Sequence, residues 1–92
     1  MAQRLSNSEI RDRLQALPDW TAQGEVIQYL RTLKNFVEAI DFVNKLVEPA
    51  ETAGHHPDIE ISYNKVKISL TTHDAGGLTE KDFELAKVIS QI

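Results

Sequence analysis

The three histidines of this chain, His55, His56 and His73, all lie in one stretch of the sequence. A free imidazole has a pKa of about 6.5, so both of its protonation states are populated near neutral pH. It can therefore donate a proton at one step of a reaction and accept one at another. The clustering is typical of a proton-transfer site, a metal site or a set of structural hydrogen bonds.

The residue types alone leave these three interpretations open. Adjacent residues of an extended chain project in different directions, which makes His55 and His56 awkward ligands for a single ion. The chain has no cysteine, so no thiolate can complete a metal site or act as a nucleophile. These residue types therefore disfavour a metal site, although a metal-binding protein remains a further hypothesis. That hypothesis predicts bound zinc or copper after purification without a chelator.

A predicted hairpin would bring the third histidine back to the other two. Alternating apolar residues predict two strands between positions 57 and 73. If Asn64 and Lys65 form a two-residue turn, the register sets His56 opposite His73 at the open end of the hairpin. We therefore expect imidazoles from two separate segments to converge on one site.

Glu51 lies near the end of a predicted helix, four positions before His55. A carboxylate is mildly unfavourable there, because the C-terminal end of a helix dipole is negative. Departures from local preference are expected where function overrides stability. A carboxylate near an imidazole can also fix its tautomer. Glu51 is thus a candidate partner of the histidines, although a solvated helix-end charge explains it as well.

Two shorter segments carry the pattern of a capped amphipathic helix. Ser6 and Glu9 form a capping box before the first, and Pro18 ends it. Thr79 and Asp82 form a capping box before the last helix, and we interpret Asp82 mainly through that structural role.

The longest predicted helix begins after Asn35 and ends at Gly54, which suits the left-handed residue that often follows a helix. Its apolar positions recur at helical spacing and predict one buried side. These positions are Phe36, Ala39, Ile40, Val43, Leu46, Val47 and Ala50.

The segments 20–22 and 26–33 flank a Gln23-Gly24 turn and complete four predicted strands. The element order is α-β-β-α-β-β-α, and the short hairpin loops favour antiparallel neighbours. We predict an α+β fold in which residues 1–92 form a single-domain sandwich. An antiparallel four-stranded sheet would carry the three helices on one face.

Composition excludes several classes of protein. The net charge of −4 argues against binding to a nucleic-acid backbone, which requires a concentrated basic surface. The first residues contain no apolar run of the kind found in a signal peptide, and no segment approaches the length of a membrane span. We expect a cytoplasmic protein that binds neither membranes nor nucleic acids.

Four runs of residues carry a more specific pattern: 51–58, 63–66, 72–74 and 77–82. A Glu-x-x-x-His-His-Pro motif is followed by a Tyr and by a third His before a Gly-Leu-Thr-x-x-Asp segment. This pattern resembles the pterin-4a-carbinolamine dehydratase family, and the resemblance covers nearly the whole chain. Ile59 departs from it, since some members carry an aromatic residue after the His-His-Pro-acid run.

The resemblance implies a dehydratase that removes water from a 4a-hydroxytetrahydropterin and gives a quinonoid dihydropterin. It implies His55 and His73 as the acid–base pair, His56 chiefly as a substrate-binding group, and Glu51 as a residue that tunes them. Pro57, Thr72, Asp74 and Ala75 would line the pterin together with the three imidazoles. No cofactor is implied, since the pterin is the substrate, and the chain would form a homodimer or homotetramer.

A second hypothesis is an oligomeric interaction module, because some relatives are dimerisation cofactors of a transcription factor. The predicted outward side of the long helix is polar and has no evident docking patch. Its residues are Asp41, Asn44, Lys45 and Glu48. Such a module would keep its binding after loss of the histidines, whereas an enzyme would lose its turnover.

Overall fold

The structure is a computed structural model that describes residues 3–92. Three α-helices, four strands and one short 3-10 helix follow one another along the chain. They are α1 (Asn7–Leu14), β1 (Trp20–Gln23), β2 (Val26–Thr32), α2 (Phe36–Ala53), β3 (Asp58–Ser62), β4 (Lys65–Leu70), the 3-10 helix (His73–Ala75) and α3 (Glu80–Ser90). The predicted order is confirmed.

Local sequence signals place the helix ends as predicted. Ser6 and Glu9 form a complete capping box at α1, since each side chain accepts a hydrogen bond from the other's backbone N–H. The side chain of Asn35 accepts a hydrogen bond from the backbone N–H of Glu38 at the start of α2. Gly54 ends α2 in the left-handed conformation, with a φ of 62° that glycine adopts without strain.

The four strands form one antiparallel sheet in the order β1-β2-β4-β3. Alternate side chains of the two central strands, such as Ile27, Val66 and Ile68, are fully buried under the helices. Their neighbours, such as the 58%-exposed Leu30, point to the opposite side. All three helices therefore lie on one face, and the α+β prediction is confirmed.

The β3–β4 hairpin differs from the predicted register. Ser62 pairs with Lys65, so the two-residue turn is Tyr63-Asn64 and not Asn64-Lys65. The cause is a contact with the preceding strand: Asn64 donates its side-chain amide to the carbonyl of Leu33 and accepts the Leu33 N–H at its own carbonyl. These bonds hold Asn64 in the turn beside the end of β2, and Tyr63 takes the left-handed φ of 53°.

The shift of register has a consequence for the histidines. β4 ends at Leu70 and the chain then enters a 3-10 helix at His73. The predicted ladder pair between His56 and His73 is therefore wrong. The histidines lie in the segments that follow α2 and β4, so these segments, and not the strand ladder, determine how close the imidazoles are.

The long helix buries a narrower stripe than predicted. Ala39, Leu46 and Ala50 lie in the core as expected, and Phe42 joins them. Phe36 and Val47 are more than half exposed, because the narrow sheet leaves that side of α2 uncovered. In residues 3–92, no helix is both long and apolar enough to cross a membrane.

Candidate active site

His55 is held at the C-terminal end of α2. The left-handed turn at Gly54 redirects the chain, and the backbone N–H of His55 bonds back to the carbonyl of Ala50 at 3.1 Å. This orientation sends the imidazole towards the start of α3. There its Nε2 atom lies 2.5 Å from Oδ1 of Asp82. The His55 side chain is 12% exposed and that of Asp82 is 0% exposed.

The second carboxylate oxygen of Asp82 accepts two hydrogen bonds. Its Oδ2 atom accepts the hydroxyl of Thr72 at 2.8 Å and the backbone N–H of Thr79 at 2.9 Å. The latter bond belongs to the predicted capping box of α3, which is confirmed. A buried carboxylate is costly unless it is hydrogen-bonded, and a helix N-terminus favours negative charge. Both conditions are met here.

The direction of each bond in this network follows from the available protons. Thr72 gives its single hydroxyl proton to Asp82, so the hydroxyl of Thr79, 2.9 Å away, must donate to Thr72. Thr79 in turn accepts the backbone N–H of Lys81. Oδ2 of Asp82 thus accepts at both of its contacts, and an ionised carboxylate has no proton to donate from Oδ1. The Nε2 atom of His55 is therefore the donor, which leaves Nδ1 as the ring nitrogen available to a substrate.

His56 has a different partner and a wetter environment. Its Nε2 atom lies 2.5 Å from Oε2 of Glu51, and both side chains are more than 60% exposed. The carboxylate expected four positions before His55 thus bonds to its neighbour, five positions away. The reason is the turn at Gly54, which directs His55 to α3 and leaves His56 beside the last turn of α2.

His73 begins the 3-10 helix, whose other residues, Asp74 and Ala75, complete the predicted lining segment. An antiparallel bridge between Thr72 and Gly77 closes this loop. Thr72 is the residue that shares the Asp82 carboxylate with His55. The backbone of His73 is therefore one residue from the His55 network. The approach of the three imidazoles to one another stays a prediction.

Asp82 is the residue whose contact with the site the sequence analysis missed. The capping box explains Asp82 by a residue three positions away. Its bond to His55 spans 27 positions of sequence, which local spacing does not predict. The available signal was its place at the end of the Gly-Leu-Thr-x-x-Asp segment, within the same pattern as the histidines.

A cavity of about 170 Å3 lies between α2 and β3, next to His56. Glu51 and His56 form its polar edge. The rest of its wall is apolar, from Val43, Leu46, Val47, Ala50, Pro57 and Ile59. A larger groove of about 680 Å3 between α2 and α3 has other walls, among them Lys45, Leu85 and Val88. Of the two, the smaller cavity is the one lined by predicted site residues, namely Glu51, His56 and Pro57, whereas His55 and His73 line neither.

No group of three or more histidine, aspartate or glutamate side chains within residues 3–92 is arranged to hold a metal ion. The acidic and imidazole groups described above occur as the separate pairs His55–Asp82 and His56–Glu51.

Residues 3–92 match the family model described as Pterin 4 alpha carbinolamine dehydratase. The chain belongs to this family. The assignment confirms the resemblance inferred from the histidine motif, and with it the prediction that the chain is a member of a family of hydro-lyases.

Two similar proteins support the assignment to the pterin carbinolamine dehydratase family. A protein of Cyanothece sp. is 68% identical over 92 residues, covering all of this chain and 95% of the relative. One from Nostoc sp. is 66% identical, with 100% and 99% coverage. Both are named, provisionally, as pterin-4-alpha-carbinolamine dehydratases.

Solved structures of dehydratase-like proteins share the fold. A protein of Brucella melitensis described as a transcriptional coactivator/pterin dehydratase superposes with a TM-score of 0.92 at 33% identity, covering 97% of each chain. A pterin dehydratase-like protein described as a RuBisCO assembly factor in the alpha-carboxysome gives a TM-score of 0.67 at 21% identity. That match covers 79% of this chain and 87% of the other, and at this identity the likeness shows the fold alone.

Proposed function

We propose that this chain eliminates water from a 4a-hydroxytetrahydropterin by histidine acid–base catalysis, without a metal or another cofactor. The observation that carries the proposal is the bond between His55 and the buried Asp82, which leaves Nδ1 of an oriented imidazole free. Family membership supplies the substrate class.

The reaction needs two proton transfers and no change of oxidation state. The lone pair of a ring nitrogen forms a C=N bond to C4a while the C4a–oxygen bond breaks. That nitrogen loses its proton to a base, and the departing hydroxyl receives a proton from an acid and leaves as water. The product is a quinonoid dihydropterin, and the proton count balances. Two imidazoles in opposite protonation states can carry both transfers.

We assign the base and acid to His55 and His73. Asp82 is a positioning residue in this proposal, because it holds the His55 ring through Nε2 and never contacts the substrate. His56, oriented by Glu51, binds the pterin. Pro57, Thr72, Asp74 and Ala75 line it, as the family resemblance implies. Each well-placed proton transfer contributes typically about 10²–10⁴-fold in rate.

A direct turnover assay tests the proposal. Freshly prepared 4a-hydroxytetrahydropterin is mixed with the purified protein in a stopped-flow instrument, and formation of the quinonoid product is followed by absorbance, with and without a chelator. We expect saturable acceleration over the spontaneous rate in both buffers. No acceleration would contradict the proposal, and activity that a chelator abolishes would replace it with a metal-dependent one.

We also propose that the protein is a homo-oligomer. The side of the sheet away from the helices is uncovered in one chain, and α2 exposes the large apolar residues Phe36, Val37 and Val47. The interaction-module hypothesis requires that a different protein bind to this same apolar strip. Sedimentation of the purified chain at micromolar concentration should give a dimer or tetramer mass, and a monomer would contradict the assignment.

A further inference from the structure

We infer that Thr72 is a positioning residue for the proton transfers, because its hydroxyl links the segment that carries His73 to the carboxylate that orients His55. The inference rests on the proposed dehydratase function and adds a residue that acts on the reaction through Asp82. Any lining contact between Thr72 and the pterin would then come from atoms other than this hydroxyl.

The hydroxyl of Thr72 is committed to buried partners. It donates its only proton to Oδ2 of Asp82 at 2.8 Å, and it accepts the hydroxyl proton of Thr79 at 2.9 Å. Thr72 is 7% exposed, and Thr79 and Asp82 are 0% exposed. A pterin acceptor would have to compete with a carboxylate for the Thr72 proton, and hydrogen bonds to charged groups are the stronger ones. The hydroxyl is therefore better suited to hold Asp82 than to bind a substrate.

The position of Thr72 at the start of the 3-10 helix makes this choice of partners unusual. A threonine at the N-cap position usually accepts a backbone N–H of its own helix through its side chain. Thr72 makes no such bond. Its backbone carbonyl accepts the N–H of Ala75 at 3.1 Å instead, and its hydroxyl is directed to Asp82. Such a departure from local preference is expected where function overrides stability.

The backbone of Thr72 closes the loop that carries His73. Its N–H donates to the carbonyl of Gly77 at 3.2 Å, and its carbonyl accepts the N–H of Gly77 at 3.3 Å. His73 is the next residue and begins the 3-10 helix inside this loop. The side chain of Thr72 meanwhile holds the carboxylate that bonds to Nε2 of His55. The segments with the proposed acid and base are therefore joined through Thr72.

Loss of the Thr72 hydroxyl should loosen the imidazole without removing a group that contacts the reacting atoms. Of the two bonds described at Oδ2 of Asp82, the one from the N–H of Thr79 would remain, and the carboxylate could turn about it. The His55 ring would then move with its acceptor. A misplacement of about 1 Å can lower a rate about 100-fold. We therefore expect a loss in kcat rather than in substrate binding.

Three variants separate the hydroxyl from the shape of the side chain. Thr72→Val removes the hydroxyl and keeps the branched shape, whereas Thr72→Ser keeps the hydroxyl and loses the methyl group. Thr71→Val is the matched control, because the neighbouring Thr71 donates its hydroxyl to the carbonyl of Glu25 and not to the Asp82 network. The measurements are kcat and KM on 4a-hydroxytetrahydropterin, and the exchange rate of the Nε2–H proton of His55 in ¹H–¹⁵N spectra.

Thr72→Val should lower kcat by about 10–100-fold with KM nearly unchanged, and should speed exchange of the His55 proton by about tenfold or more. Thr72→Ser and Thr71→Val should stay within about threefold of the wild type in both measurements. A raised KM with unchanged kcat in Thr72→Val would overturn the inference and assign the hydroxyl to the substrate. An equal loss of kcat in Thr72→Ser or in Thr71→Val would also overturn it.

The two levels of the proposal separate in this experiment. Absence of turnover by the wild type contradicts the dehydratase function, whereas the exchange rate of the His55 proton still decides the positioning role. Turnover with equal exchange rates and equal kcat in wild type and Thr72→Val contradicts only the positioning role. If Thr72→Val does not fold, Thr72→Ser decides alone, since a loss of kcat beyond about threefold in a variant that keeps the hydroxyl would overturn the inference.

Discussion

Oδ1 of Asp82 and Nε2 of His55 lie 2.5 Å apart at the N-terminus of α3, and no solvent reaches the carboxylate. The same side chain completes the capping box of that helix through Oδ2. One buried aspartate therefore fixes both the start of α3 and the orientation of an imidazole from the far end of α2. Its two functions can be separated by substitution.

Replacing Asp82 with Asn should reduce kcat by about 10²-fold or more and leave KM nearly unchanged. The amide oxygen has to face Thr72 and the N–H of Thr79, both of which donate. The amide nitrogen then faces His55 and donates to Nε2, so the imidazole proton moves to Nδ1. Steady-state kinetics and ¹⁵N resonances of the His55 ring measure the two effects.

Ser6→Ala is the control for lost helix capping. It removes the capping hydroxyl of α1, which bonds to the Glu9 N–H and not to the Asp82 network, and should cost about 1 kcal/mol of unfolding free energy with kcat unaltered. Suppose that Asp82→Asn, like Ser6→Ala, lowered the free energy of unfolding and left kcat unchanged. Asp82 would then have no role in positioning the imidazole.

Replacing Glu51 with Gln should raise KM by up to about fivefold and change kcat by less than twofold. The pair with His56 is exposed, and ion pairs of this kind contribute about 0.2–1 kcal/mol. Glu48→Gln removes a charge from the preceding turn of α2, outside the site, and should leave both constants unchanged. Equal effects from the two variants would mean that only the net charge matters.

Replacing Tyr63 with Asn should stabilise the fold by roughly 0.5–1 kcal/mol. Tyr63 adopts a φ of 53°, a left-handed conformation that costs an ordinary L-residue about 1–2 kcal/mol and that Asn tolerates better. The tyrosine side chain is 66% exposed, so little packing is lost. Urea unfolding measures the change, and Tyr63→Phe should be neutral. A large loss of stability in Tyr63→Asn would indicate that the ring is buried against another chain.

The capping box of α1 should make stability depend on pH in the acid range. The backbone N–H of Ser6 lowers the pKa of Glu9 below its ordinary 4.5, with the Ser6 side chain as the next cause. A lowered folded-state pKa contributes stability above pH 4.5, and this contribution is lost as the pH falls through the folded value. Glu9→Gln should remove that part of the acid destabilisation. Superimposable curves of unfolding free energy against pH would contradict this.

The elements that depend on local chemistry could be predicted from the sequence. The residues around Ser6, Asn35 and Thr79 determine the helix starts through contacts three positions apart. Alternation along β4 identifies the buried face, because it requires only the period of a strand.

The features that depend on contacts between residues distant in sequence could not be predicted. The hairpin register is set by hydrogen bonds between Asn64 and Leu33, two residues on different hairpins. The partner of His55 is likewise in another helix, and a nearer carboxylate, Glu51, was the more evident candidate. Sequence spacing brought the right residue types to the site but did not determine which atoms meet.

The most direct measurement is the rate of water loss from 4a-hydroxytetrahydropterin in His55→Ala and His73→Ala, compared with His56→Ala. We predict that kcat falls by about 10²–10⁴-fold in each of the first two, whereas His56→Ala mainly raises KM. If His73→Ala kept the turnover of the wild type, a pair of imidazoles from two segments would not be the catalytic unit.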